Sequence, residues 1–352
     1  MSAAPINPIG VGVGVGIGIG SGSMPVPSGW QPASSPAVRR MRAYFAPVNR
    51  ATSTPTYFDP AQASGFDPDN PPAPWIDLGW IEDFARKSAS KITAVLAGSP
   101  ATVQEQVRQE LEATVTLRFL SWGKLQLALA AGSDQKNLLV VGNKAVPSPS
   151  GGTALPAART LAGSTSTNLM LDPTTTTAAF QPGCILAVDD DYTKQTGYVG
   201  AGASAAYIPS TGLASNDIDY IRRVTLNVGQ IASVQGLPPT SVQLQAPLLG
   251  GAPAAGVGVQ VATGFVDREG GSFFQEWSAL FAAPGEQGDW IFYHYPRLQA
   301  MQGAAESAAP LAAPLAWVQL QAQFRALPVT DVSDGAQVLC FRSYLPAPNS
   351  AI

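Results

Sequence analysis

Histidine occurs once in this chain and cysteine twice. Two cysteines, Cys184 and Cys340, are too few for a disulfide framework and read as buried small hydrophobes, with a single bridge between them left open. The lone histidine, His294, lies between two tyrosines in WIFYHYPRL and reads as a packed or half-exposed strand residue. HxxH, HxH and CxxC are all missing, so no metal-ligand spacing exists, and neither a metal nor a cofactor is expected. Charge is also scarce, with charged residues at 12% and a net charge of -4. A general binder of the nucleic-acid backbone needs a basic excess, and there is none. GxSxG is absent, as is GxxxxGK[ST]: Gly123 and Lys124 are followed by Leu125, which has no hydroxyl to offer magnesium. Asp267, Glu269 and Glu276 are acids of the type glycoside hydrolases pair, but nothing in the sequence sets two of them at a working distance. No catalytic residue is assigned, and the chain is not expected to be an enzyme.

Glycine and proline, at 35 and 31 of the 352 residues, are what the chain has instead. They indicate many turns and short extended segments rather than a helical bundle. In 10–20 glycine takes every second place, with Val11, Val13, Val15, Ile17 and Ile19 between. Alternate glycines undermine a membrane helix and give even spacings that never make GxGxxG. No Lys or Arg precedes Arg39, so the run does not read as a secretion signal. It reads as an extended segment with its valines and isoleucines on one face. Burying those five side chains contributes roughly 7–15 kcal/mol, against roughly 11–22 kcal/mol to order eleven residues. The run therefore needs a partner that also supplies backbone hydrogen bonds. The expectation is an inter-subunit arm over 1–30, with a permanently disordered tail as the alternative. The whole of 1–75 reads as an extended, Pro/Gly-rich arm that folds little by itself. Its basic patch, Arg39, Arg40 and Arg42, reads as pairing with carboxylates on a neighbouring surface rather than with nucleic acid.

Residues 76–352 read as a β-rich core. KITAVLAG is a strand turning at 98–100. In 101–120 every even position from 102 to 118 is polar, while Val103, Val107, Leu111, Val115 and Leu117 occupy odd positions. Glu105 and Gln109 break the apolar series, and the pattern still predicts one long strand, with a helix over its first half as the alternative. A long alternating strand leaves unpaired backbone groups, so these five residues are the candidate self-assembly interface. SWGKLQLALAAGS predicts a short helix capped by Ser121, with Leu125, Ala128 and Leu129 on its apolar face and Gly132 ending it. The low-complexity stretch 145–182 reads as a long loop or insertion. Asp189, Asp190 and Asp191 cluster oxygens as calcium prefers, but Lys194 stands where a hand-type loop has glycine, so they read as a solvated strand end. CILAVD, DYIRRVTLNV, TSVQLQA, GVQVATGFV, DWIFYHY, LAWVQLQAQFRA and QVLCFRSYL are further short strands. Together they indicate a mainly β fold, an antiparallel sandwich or barrel with a short flanking helix, an extended N-terminal arm and long loops.

PPAPWIDLGWIEDF, ELEATVTLRFLSWGKLQLALAAGS, VDDDYTKQTGYVG, DYIRRVTLNVGQ and GGSFFQEWSALF with YPRLQ resemble the major tail proteins of long-tailed bacteriophages and related prophage elements. The resemblance covers roughly 72–345, and the join LRFLSWGKLQLALAAG is its most telling part. It implies a β-sandwich or barrel in which a strand runs into a short helix packed on the sheet. It further implies a structural virion protein of the tail, assembled in the bacterial host cytoplasm, without catalytic residues. Copies of the subunit would form rings, commonly of six, that stack into a tail tube. Its partners would be itself, other tail proteins and DNA passing non-specifically through the lumen, with no membrane insertion. An acidic subunit suits a lumen that must not grip phosphates. The alternatives are another virion β protein, such as a capsid-decorating one, and a carbohydrate-binding β-sandwich.

Overall fold

The computed structural model describes residues 40–48, 55–141, 155–176, 180–188, 203–205, 228–248, 251–269, 276–301, 305–307 and 319–346, together with Pro149 and apart from Ala73 and Gln287. The first strands are β1 (Met41–Pro47), β2 (Ile76–Ala97) and β3 (Thr102–Phe119), followed by helix α1 (Lys124–Ala131). Next come β4 (Asp134–Leu139), β5 (Ala158–Arg159), β6 (Asn168–Met170), β7 (Ile185–Val188), β8 (Ala203–Ala205), β9 (Val228–Gln235), β10 (Ser241–Leu244) and β11 (Gly258–Arg268). The chain ends with β12 (Glu276–Pro284), β13 (Trp290–Ala300), β14 (Ala305–Ser307), β15 (Gln319–Ala326), β16 (Val329–Thr330), β17 (Gln337–Val338) and β18 (Phe341–Leu345). The fold is mainly β and antiparallel, as the sequence predicts.

Six strands close on themselves in the order β1, β2, β3, β15, β13, β12 and back to β1, every pairing antiparallel. Closure follows from alternation. Val115, Leu117 and Phe119 of β3 and Leu320, Ala322 and Phe324 of β15 all point into one core, so the pleat buries every second side chain. Phe45 lies near the middle, its ring centroid 5.9 Å from Phe281 and 5.6 Å from Phe324. Helix α1 adds Leu125, Leu129 and Ala130 to this core. Gly132 ends the helix in the left-handed region at φ 62, a conformation costly for a side chain with a Cβ. Ser121 is not the cap: Gly123 holds that position without a side-chain bond, and the Ser121 hydroxyl donates to the Leu78 carbonyl.

The N-terminal reading needs correction. The segment 40–48 is no loose arm, because β1 sits between β2 and β12 in the barrel wall. Ala43 and Phe45 belong to the barrel core, while Tyr44 and Ala46 belong to a second cluster outside the wall, with Leu280, Ala282 and Phe292. Residues 55–75 cover that outer face. They form no α-helix, as their prolines require, yet Phe66 and Trp75 are buried there, and the Tyr44 hydroxyl donates to the Pro68 carbonyl at 3.0 Å.

β14 extends the barrel sheet beside β15 and β18 beside β13, β16 and β17 pair with each other, and the other strands build a second sheet, ordered β6, β10, β9, β7, β11, β4, β8, with β5 also on β11. An isolated bridge between Thr160 and Leu171 joins β5 to β6, so these strands surround a core of Leu169, Leu186, Ile231, Val242 and Val259. Much of 145–182 is therefore folded rather than loop: it supplies β5, β6 and buried Leu169, Leu171 and Phe180. Its hydroxyl-rich composition is used locally. Ser164 Oγ accepts from the Met170 N–H at 3.0 Å, and the Thr160 hydroxyl donates to the Ala254 carbonyl at 2.6 Å.

Candidate functional site

β2 and β3 are far longer than the barrel they help to form. β1 pairs with β2 only up to Ile81, and β15 pairs with β3 only from Thr114 onward. Beyond those points the two strands pair only with each other among the described residues, from Ser88↔Ala113 out to Ala97↔Thr102. About eleven residues of each strand thus project as a two-stranded ribbon, roughly 35 Å at about 3.3 Å per residue. A bulge marks its root: Asp83 and Phe84 together stand opposite Leu117, and Asp83 takes the left-handed region at φ 52. Asp is among the side chains that tolerate that region, and its carboxylate sits 3.2 Å from Arg118.

The ribbon carries apolar side chains in the open. Ile92 is 53% exposed, Leu96 59%, Val103 56%, Val107 45% and Leu111 40%. Of the five residues expected at an interface, Val103, Val107 and Leu111 are available to a partner. Val115 and Leu117 are not: they are 0% and 1% exposed, inside the barrel core, because β15 and the opposite wall cover the base of β3. The register brings a second correction. Odd positions of β3 do not all share a face, because Gln109 is an extra residue between the pairs Lys91↔Glu110 and Ile92↔Arg108. Leu111, opposite Ser90, lies on the face continuous with the barrel core, while Val107, opposite Thr93, lies on the other. A second shift beside Val95 returns Val103, opposite Leu96, to the first face. Sequence reading missed Ile92, Val95 and Leu96 as exposed residues. KITAVLAG reads as an ordinary core strand until its partner strand is seen to be polar at every second position.

The other candidates resolve into packing. His294 is 2% exposed, and its ring meets those of Tyr57, Phe58, Trp75 and Phe341. Burial pushes its pKa down to about 4, so the ring is neutral near pH 7. Its Nε2 stands 3.2 Å from the Thr56 carbonyl, which can only accept, so that nitrogen carries the proton. His294 thereby ties 55–75 to the barrel wall. A cavity of about 240 Å3 beside it is lined by Tyr57, Phe58, Asp59, Gln62, Phe66 and Trp75, among others. The Asp59 carboxylate is already engaged by the Ala61 N–H and the Gln62 amide. Arg42 does pair with carboxylates, those of Asp77 and Asp69 in its own chain, which raise its pKa further. Arg40 stacks on Trp80 at 5.9 Å. Cys184 and Cys340 are half-buried free thiols, one against each core, rather than fully buried. Burial pushes the Cys340 thiol up. Among the described residues no cluster of three or more His, Cys, Asp or Glu is placed to hold a metal. Arg39, the acidic run Asp189, Asp190 and Asp191, and Val11, Val13, Val15, Ile17 and Ile19 of the expected arm lie outside the described residues. No protein-family model matches the chain, and no curated protein does either.

Proposed function

We propose that this chain is a structural subunit that assembles with copies of itself, and that its assembly is the stacked-ring tail tube of a long-tailed bacteriophage or related prophage element. The observation that carries the reading is the ribbon. An isolated two-stranded hairpin is marginal in water, and this one has edges with no strand partner among the described residues and exposed valine, isoleucine and leucine on both faces. Such an element is stabilised by a neighbouring surface. The segments that resemble major tail proteins include the ribbon's root and the strand-to-helix join that follows it. The proposed location is the tail of the virion, after assembly in the host cytoplasm, with other tail proteins and non-specifically passing DNA as further partners. The subunit does no chemistry in this reading. Negative-stain microscopy of the purified full chain is the test. Rings or stacked tubes support it, and isolated monomers or trimers at high concentration count against it.

A further inference from the structure

The ribbon segregates charge by strand. Its β2 half, 87–97, holds Lys87 and Lys91 and no acid. Its β3 half, 102–112, holds Glu105, Glu110 and Glu112 against one base, Arg108. The pairings Lys91↔Glu110, Ala89↔Glu112, Val95↔Glu105 and Lys87↔Thr114 put all two lysines and three glutamates on one face, while Arg108, opposite Ile92, lies on the other. Glu112 is engaged by Arg325 at 2.9 Å. Among the described residues no ion pair within 4 Å engages the other four. One edge of the ribbon is therefore basic and the other acidic, and along both edges the backbone N–H and C=O groups have no strand partner among the described residues.

From this we infer that the ribbons of successive copies join edge to edge and head to tail, the β2 edge of one copy meeting the β3 edge of the next. The inference rests on the self-assembly reading and specifies its contact. Two geometries can pair such ribbons. A two-fold pairing sets like edge against like, lysines facing lysines or glutamates facing glutamates, which repels. Rotation about an axis along the ribbons sets β3 of one copy beside β2 of its neighbour. Those strands run in opposite directions, so the new pair is antiparallel and the sheet continues from copy to copy. The charged faces stay on the same side, and each lysine edge meets a glutamate edge. Such a contact is heterologous and satisfies both free edges when the ring closes.

Reversing charge on one edge at a time tests it. The variant Lys87→Glu/Lys91→Glu has two acidic edges, and Glu105→Lys/Glu110→Lys has two basic ones. The substituted residues are exposed and outside both cores, so each variant is expected to fold, checked by a thermal transition close to that of the wild type. Each alone is expected to self-associate at least about tenfold more weakly than the wild type in sedimentation velocity at low salt. Mixed one to one, they are expected to restore assembly with strict alternation, since both junctions then join a lysine edge to a glutamate edge. Either folded variant assembling like the wild type overturns the edge contact and leaves the tail-tube reading standing. Failure of the mixture to recover, or recovery as mixed dimers that grow no further, overturns the head-to-tail order. Wild-type rings that never stack count against the tube and spare the edge contact. A wild type that stays monomeric overturns both.

Discussion

Strand β3 carries one pattern along its length and meets two fates. At its base Ala113, Val115, Leu117 and Phe119 are buried in the barrel, and toward its tip Val103, Val107 and Leu111 stand in solvent. Even positions are polar in both halves, while Glu105 and Gln109 interrupt the apolar odd positions only toward the tip. What differs is the neighbour: β15 runs beside the base and stops at Thr114. Apolar odd positions therefore mark side chains that burial would favour, while the topology decides whether the same chain covers them. Where it does not, the apolar side chains stay exposed, as Val103, Val107 and Leu111 do.

The comparison is sharpest in stability. Phe119→Ala removes a ring from the barrel core and should cost about 3–5 kcal/mol, whereas Leu111→Ala in the ribbon should cost the monomer less than about 1 kcal/mol. Denaturant unfolding of the two variants measures the contrast. A next effect comes from the anchor of the outer layer. His294 holds its pKa at about 4 through burial. The unfolded histidine takes up a proton as the pH falls through about 6.5, and the folded one resists until about 4, so its share of stability is complete above 6.5 and is lost between those values. The loss is roughly 3 kcal/mol by pH 4. His294→Gln should flatten that slope in a pH series of unfolding curves. Asp172 and Asp331 are held below the usual carboxylate range by bonds from Thr174 and Ser333, so their contributions fade at lower pH and leave the histidine window clear. The smallest effect on the fold should follow replacement of 87–112 by a tight turn. Barrel closure uses none of those residues except through Glu112 and Arg325, so the thermal midpoint should shift by only a few degrees.

The elements most readable in sequence were those whose pattern is local. The long strand, its turn at 98–100, and the helix with its Gly132 stop all follow from periodicity and punctuation, and all are present. What periodicity could not reveal was set by contacts far apart in the chain. AVRRMRAYF looks like part of an arm because its surroundings are rich in proline and glycine, yet β1 is held by β12, more than 230 residues away. The bulge at Gln109 is equally silent, since one extra residue leaves alternation intact within β3 and shows only against β2. Folding of 155–176 was hidden because serine and threonine hydroxyls that bond to nearby backbone look, in sequence, like those of any polar loop. In the candidate site, Val103, Val107 and Leu111 could be found from alternation, but separating them from Val115 and Leu117 required knowing where β15 ends.

The central claim is that the ribbon joins one subunit to another, and its most direct measurement compares the wild-type chain with Val107→Asp/Leu111→Asp, which charges both faces of the ribbon and leaves the barrel untouched. Both proteins are examined by sedimentation velocity and negative-stain microscopy, with circular dichroism to establish that each is folded. Rings or tubes are expected from the wild type and a folded monomer from the variant. A folded variant that forms the same rings as the wild type would contradict it.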